Sequence, residues 1–473
     1  MILAKIVGFC TIGLVLSGCA SMSLDAGFSE VKAAVERRHP LEVVWNAGSE
    51  LDKQAAEKIA ALLKQKLTVE AAVQIALLNN RDLQAVYSDL GVAQADVVEA
   101  GPLSNPIFDA AIKFPVSGGG RPDLELGAAM KFLDLFYIPL RKRVAAARFE
   151  ETKTRVTGAV LDLAGRVRKA FYTYEGDEQM LELRQTIAQA LAASFEIAHR
   201  LYQAGNISDL DYFSERAQFE AGKLSLRAAE VSVRRSREEL NVLMGVWGPQ
   251  TQWQSSGRLP DLPKQPLDIK DIERLSLEHS LDLAQTRQRI IGSGEQLGLS
   301  RWTTLLPEFS AGPEAERREG SWEVGPRIDL SVPLFDQGQA ALGRTAAELR
   351  RSQQEYYALG IRIRAQARAA LDQLEGAGDR ANYYRDVLLP LHERIVNETQ
   401  LHYNAMQLGP FQLLRAREQQ IQTAVGYVEA LRDYWLARAD IEQLLDGRLP
   451  NSNGAMRAGS SPGQNGTSGT VGH

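Results

Sequence analysis

The segment SWEVGPRIDLSVPLF, residues 321–335, constrains this chain more than any other stretch. Trp322, Val324, Pro326, Ile328, Leu330, Val332 and Leu334 fall on one parity, and Glu323, Gly325, Arg327, Asp329 and Ser331 on the other. Successive strand residues point to opposite sides, so this strand has one oily face and one charged face. Three further segments alternate in the same way. In 105–116, Phe108, Ala110, Ile112, Phe114 and Val116 oppose Asp109, Ala111 and Lys113. In 123–136, Leu124, Leu126, Ala128, Met130 and Phe132 oppose Asp123, Glu125, Gly127, Ala129 and Lys131. In 306–317, Phe309, Ala311, Pro313 and Ala315 oppose Glu308, Ser310, Gly312, Glu314 and Glu316.

The remainder reads as long helices, and the chain says the same thing twice. With a constant shift, Tyr202, Ala204, Arg216 and Leu243 meet Tyr403, Ala405, Arg417 and Leu444. Upstream, LLNNRDLQAV (77–86) echoes SLEHSLDLAQ (276–285), and NPIFDAAIKF (105–114) echoes LPEFSAGPEA (306–315). Such self-similarity marks a duplication. Each half is expected to run helix, strand, strand, long helix, shorter helix. In the first repeat (68–246), Thr68 is a good N-cap for a helix over 68–101, which Gly101-Pro102 ends. A glycine-rich turn, SGGGRP, separates the strands. Pro139 opens a helix to about 204, and another covers 208–245. Val160, Leu163, Val167, Ala170 and Tyr174 keep coiled-coil spacing. In the second repeat (268–447) the helices are expected over 268–300, 337–406 and 409–446. A helix of some 65 to 70 residues spans roughly 100 Å, far beyond one globular core. It needs lateral neighbours to bury its seams.

Helices committed to such rods supply no cap for the oily strand faces. Alternation over about ten residues between turns also describes a membrane-spanning barrel strand. Four strands close no barrel, since known ones start at about eight, and open edges are not tolerated in lipid. Two copies would give eight strands, whose interior only side chains fill. The glycine, serine and charge of the inner parity suit water, so three copies and twelve strands form the smallest assembly with a wet lumen. Lipid then faces the oily parity. No apolar run beyond the N-terminus has the length of a membrane-spanning helix.

MILAKIVGFCTIGLVLSGCAS places Lys5, an apolar run and Leu16-Ser17-Gly18 before Cys19, the form of a leader (1–18) that is removed. It matches the lipobox, in which the cysteine is acylated and becomes the first mature residue. Ala20 after it implies sorting to the outer membrane. Loss of Lys5 takes the formal charge from −5 to −6, no footprint for nucleic acid. With Cys10 gone and Cys19 acylated, no internal disulfide can form.

Together the duplication, the junctions FLDLFYIPLRKR (132–143) and VPLFDQGQA (332–340), the helix-turn-helix YQAGNISDLDYF with its partner YNAMQLGPFQLL, and the lipobox resemble the TolC-like outer membrane efflux proteins, over nearly all of 68–446. The resemblance implies a mainly α fold with transmembrane β-strands: a homotrimeric, twelve-stranded outer-membrane barrel continuous with a long α-helical periplasmic tunnel. It implies an exit duct for drugs or metal ions, working with a periplasmic adaptor protein and an inner-membrane pump, of the resistance-nodulation-division type by analogy with the lipoprotein branch. A polypeptide-secretion duct and a non-conducting periplasmic spacer are the alternatives. Gly205, Asn206, Ile207 and Ser208, with Met406, Gln407, Leu408 and Gly409, would form adaptor-contacting tips. Met406 departs from the pattern by standing where Gly205 stands in the first repeat. Some relatives narrow the entrance with carboxylates just beyond the second tip; Gln412 and Arg415 occupy that stretch here, while Asp209 and Asp211 lie in the first repeat as a candidate gate, where the plainer reading is helix N-terminal stabilisation.

Residues 19–67, the inter-repeat linker 247–267 and a Gly/Ser-rich tail (448–473) are expected outside the tunnel, the tail disordered. No motif for catalysis, nucleotide or cofactor binding occurs. His39, His199, His279, His392 and His402 are scattered without companion ligands, which argues against a metal site. Arg141, Lys142 and Arg143 fall just below the expected barrel, where headgroup or lumen-rim charge is the plainer account.

Overall fold

The computed structural model describes residues 23, 25–46, 48, 50–114, 122–263, 270–305, 308–318, 321–332 and 334–450, with the Glu308 side chain excepted. The expected leader, Cys19 and residues 451–473 lie outside the described residues. The helices are α1 Phe28–Glu36, α2 Glu50–Leu63, α3 Val69–Asn79, α4 Arg81–Glu99, α5 Asp134–Gln203, α6 Asp209–Met244, α7 Ile272–Glu278, α8 Leu281–Leu305, α9 Gln339–Tyr383, α10 Leu389–Asn404 and α11 Pro410–Leu445. The long strands are β1 Ile107–Lys113, β2 Asp123–Lys131, β3 Glu308–Arg318 and β4 Ser321–Ser331, and the short strands Lys66–Leu67 and Gln254–Ser255 pair in parallel. The element order is thus that of a duplicated helix-strand-strand-helix-helix unit.

Five expected elements have corrected bounds. The helices expected over 68–101 and 268–300 are each two helices. Asn80 leaves helical geometry (ψ 121°) and its side chain accepts from the Leu83 amide at 2.9 Å, a cap that restarts the chain as α4. The break at His279 and Ser280 occupies the corresponding place in the second repeat. The strand expected over 123–136 stops at Lys131, and the helix expected from Pro139 starts at Asp134. There the Asp134 carboxylate accepts from the Ser104 amide at 3.3 Å and meets Arg141 at 3.1 Å, fastening the first turn. The helix expected over 337–406 is interrupted by one π-helical turn, Tyr384–Leu388. Pro390 has no N–H to continue the ladder, and widening the preceding turn accommodates its ring.

The chain divides into two compact units. One holds residues 1–62, 74–160 and 283–360, including the sheet. Here Phe28 packs edge-on to Tyr87 at 5.0 Å and lies 5.9 Å from Trp45. Gln84 of α4 holds the extended segment beside it, donating to Val44 O (3.0 Å) and accepting from Asn46 N (2.9 Å).

The other unit holds 63–73, 161–282 and 361–473. Leu163, Val167, Ala170 and Tyr174 of the expected seam are buried in it, as are Leu431, Ile441 and Leu444 of α11. Ile187 and Leu191 of α5 pack with Val425 of α11. The inter-repeat linker is strapped down rather than loose. Trp253 is buried and donates to Asn241 Oδ1 at 2.8 Å. Arg237 stacks on the Trp253 ring at 4.1 Å and donates to Thr251 O and Trp253 O. The Trp435 indole donates to Pro260 O at 2.8 Å. The chain beyond α11 also belongs to this fold at its start: Arg448, expected in a disordered tail, is buried between Asp162 and Asp282.

Candidate functional site

The four strands form one antiparallel sheet in the order β1-β2-β3-β4. Register decides whether the separate alternations add up, because a slip of one residue would turn a strand over. They do add up. Ile112, Ala110 and Phe108 pair with Leu124, Leu126 and Ala128. Leu126 and Met130 pair with Ala315 and Ala311. Phe309, Ala311, Pro313 and Ala315 pair with Leu330, Ile328, Pro326 and Val324. The apolar rows of the described strands therefore share one face, and among the described residues it stands open: Phe108 is 77% exposed and Val324 76%. Arg317, opposite Trp322, is the charged exception at the turn end.

The other face carries charge and glycine. Glu125, Glu316 and Glu323 stand side by side across three strands. Lys113 pairs with Glu125, Arg318 with Glu316 at 2.8 Å, and Arg327 with Asp329 at 3.2 Å. Arg327 also reaches Asp109 at 3.5 Å, across two intervening strands. The floor beneath is small. A Cβ at Gly312 would fall 1.6 Å from the Ala128 carbonyl oxygen, so only glycine fits there.

The turns between the repeats' helical pairs are built alike. At the first, Gly205 takes φ 73°, Gly205 N donates to Tyr202 O (3.0 Å) and Asn206 N to Leu201 O (2.8 Å). At the second, Met406 takes φ 58°, with Met406 N to Tyr403 O (2.9 Å) and Gln407 N to His402 O (2.9 Å). Both are Schellman closures with a left-handed residue after the helix. The mismatch of Met406 with Gly205 thus leaves the backbone unchanged and instead stores about 1–2 kcal/mol of strain, under a side chain that is 94% exposed.

The family model described as Outer membrane efflux protein matches residues 72–246. The cobalt-zinc-cadmium resistance protein CzcC of Cupriavidus metallidurans is 23% identical over 396 residues, covering 80% of this chain and 90% of that one. A probable efflux pump outer membrane protein, TtgC of Pseudomonas putida, is 21% identical and covers 68% and 70%. The solved outer-membrane channel OprN superposes with a TM-score of 0.65 at 17% identity, covering 91% of this chain and 97% of that one. The chain is thus similar to the outer membrane efflux proteins over residues 72–246 and shares its fold with solved outer-membrane channels.

The expected gate residues are largely engaged in contacts within the fold. Ser208 caps α6, accepting from Asp211 N at 3.2 Å and donating to the Asp211 carboxylate at 2.7 Å. Asp209 accepts from the Tyr202 hydroxyl, and this bond pushes the phenol's pKa up. Gln412 lies beside Gly409. Arg415 of α11 meets Glu215 of α6 at 3.6 Å, and Glu215, itself buried, accepts from the Ser194 hydroxyl at 2.6 Å. His199 stacks on Phe195 at 6.1 Å within an aromatic group that includes Tyr202, Tyr212 and Phe219. His402 bonds Gln407 at 2.5 Å. Among the described residues, no cluster of His, Cys, Asp and Glu could hold a metal ion.

Sequence reading missed Glu175. It is fully buried in α5, with Oε2 accepting from Ser256 at 3.0 Å and Oε1 unpartnered. Burial pushes its carboxyl above the usual range. The only signal was a lone glutamate flanking a seam position, which sequence alone does not distinguish from a solvated one.

Proposed function

We propose that this protein is the outer-membrane exit duct of a tripartite efflux system, passing drugs or metal ions from the periplasm to the outside. The observation that carries the reading is the register: four separately alternating strands align all their oily residues on a single uncovered face. In water such a face would be a liability; in a bilayer it is the lipid contact. Sheet edges at β1 and β4 then require strands from other copies, and three copies supply twelve strands around a polar lumen. Acylation at Cys19 would anchor each chain to the same membrane.

The two Schellman tips, Gly205–Ser208 and Met406–Gly409, are the docking points for a periplasmic adaptor protein. An inner-membrane pump, of the resistance-nodulation-division type, supplies the energy. The duct itself is passive. Support for metal or drug cargo comes from relatives named for cobalt, zinc and cadmium resistance and for an efflux pump.

The test is conductance of the purified protein in planar bilayers, with oligomeric state measured in the same detergent. Stepwise ion currents from a trimer are expected. A monomer that stays water-soluble without its acyl group and carries no current would overturn the duct.

A further inference from the structure

The basic run at the sheet-to-helix junction is not used by the duct itself. We propose that Lys142, Arg301 and Arg344, below an aromatic collar of Phe136, Trp302 and Phe335, form a binding site for anionic phospholipid headgroups in the leaflet facing the periplasm. This rests on the apolar sheet face being the lipid contact.

The order of chemistry along α5 supports it. Phe136 is exposed at the foot of the apolar face. Lys142 and Arg143 follow six and seven residues later, about 10 Å further along the helix axis; Arg143 returns to the side of Phe136 and Lys142 lies about 120° round from it. That is the order in which a bilayer presents acyl chain and then phosphate. Neighbouring elements bring matching groups to the same level. The Tyr137 hydroxyl donates to Trp302 O at 3.5 Å, and Arg143 meets Glu295 at 3.3 Å, so the last turns of α8 lie beside the first turns of α5. Gly338 abuts Thr304, which places the start of α9 there too, and Arg344 lies in its second turn. Trp302 and Phe335 are exposed, as residues of an interfacial aromatic belt should be.

The ion pairs are selective. Arg141 is answered by Asp134 and Arg143 by Glu295. Among the described residues, Lys142, Arg301 and Arg344 have no carboxylate partner, and all three are exposed. Basic residues held at a membrane surface without internal counter-charge attract anionic lipid. A guanidinium also matches phosphate with two parallel hydrogen bonds. Continuity with the lipid-facing sheet selects a headgroup over free phosphate.

The test uses the full acylated protein in nanodiscs of phosphatidylcholine with equal phosphatidylglycerol, with co-purifying lipid counted by native mass spectrometry. The wild type should retain phosphatidylglycerol preferentially. The preference should fall about fivefold with each basic residue removed in the series Lys142→Gln, Arg301→Gln, Arg344→Gln. Conductance in pure phosphatidylcholine should be unchanged in the triple variant, and inorganic phosphate should not compete. A wild type that conducts yet retains both lipids equally, or a triple variant with full preference, overturns the site alone. Competition by inorganic phosphate overturns the assignment to a lipid. Failure of the wild type to insert or conduct overturns the duct, and the lipid site with it.

Discussion

Replacing Arg448 by methionine tests the claim that the chain after α11 is part of the fold. The Arg448 side chain is 7% exposed, and the two aspartates it joins are each 15% exposed. Its guanidinium donates to Asp162 Oδ1 at 3.0 Å and also bonds Asp162 Oδ2 and Asp282 Oδ1. Asp282 accepts from Leu449 N at 3.1 Å and Asp162 from Gln443 at 3.1 Å, so both carboxylates stay in place when the guanidinium between them is lost. Breaking a buried pair from one side costs about 3–5 kcal/mol, and the residual solvent access of the aspartates favours the lower end. At about 3 kcal/mol, local opening becomes roughly 150-fold more frequent. Hydrogen exchange of the amides at the end of α11 should accelerate by that factor. The pH dependence has a definite sign. Burial already holds the Asp282 carboxyl above its usual range, against the pull of Arg448. A raised carboxyl stabilises the fold most below its unfolded pKa, and that contribution is lost as pH rises through the folded value. Without Arg448 the rise is larger, so the deficit of Arg448→Met should be greatest at pH 8 and shrink as pH falls into the acidic range. Adding Asp282→Asn should recover about half of it. Exchange within threefold of wild type, or a deficit independent of pH, would refute the reasoning.

Glu175→Gln should stabilise the protein by about 1–3 kcal/mol at neutral pH, because Glu175 is buried with one oxygen unpartnered and its carboxyl is raised; thermal unfolding should show the gain disappear toward pH 4, where the wild-type carboxyl is already protonated. Gly312→Ala should disrupt the sheet, read as lost β signal in circular dichroism, since the added Cβ meets the Ala128 carbonyl, whereas Gly325→Ala, with nothing within 4 Å, should leave it intact. Met406→Gly should relieve about 1 kcal/mol of left-handed strain and slow exchange at the second tip; if the exposed methionine contacts the adaptor, affinity measured by surface plasmon resonance should nonetheless fall. Asp209→Asn with Asp211→Asn should reduce cation selectivity in single channels if these side chains face the entrance, and unchanged reversal potentials would assign them to helix capping alone.

The sheet was legible because its signal is period two and each strand could be read alone; pairing only had to place Ala110 opposite Leu126 and Ala311 opposite Ile328. The coiled-coil seam from Val160 to Tyr174 was legible for the same reason, as a repeat long enough to outweigh local exceptions. What escaped was decided by single side chains. Asn80 and Ser280 sit inside patterns that stay apolar-periodic across the break, so periodicity runs through a restart that one cap creates. Pro390 was visible, but a proline widens one turn or ends a helix according to its neighbours. Arg448 stands in a glycine- and serine-rich context that reads as tail, and its aspartates are remote in sequence. The chain turns at Gly205 and Met406 were legible from the repeat, while the equivalence of their backbones needed the φ angles.

The middle seam of the sheet, β2 against β3, stitches one repeat to the other, and the Arg327–Asp109 contact spans 218 residues. During export the first hairpin therefore emerges long before its neighbour exists. It must wait as an unsatisfied ribbon, exposed to mispairing, until the second hairpin arrives. Neither half made alone should yield this sheet, and two chains delivered together could trade hairpins and still complete it.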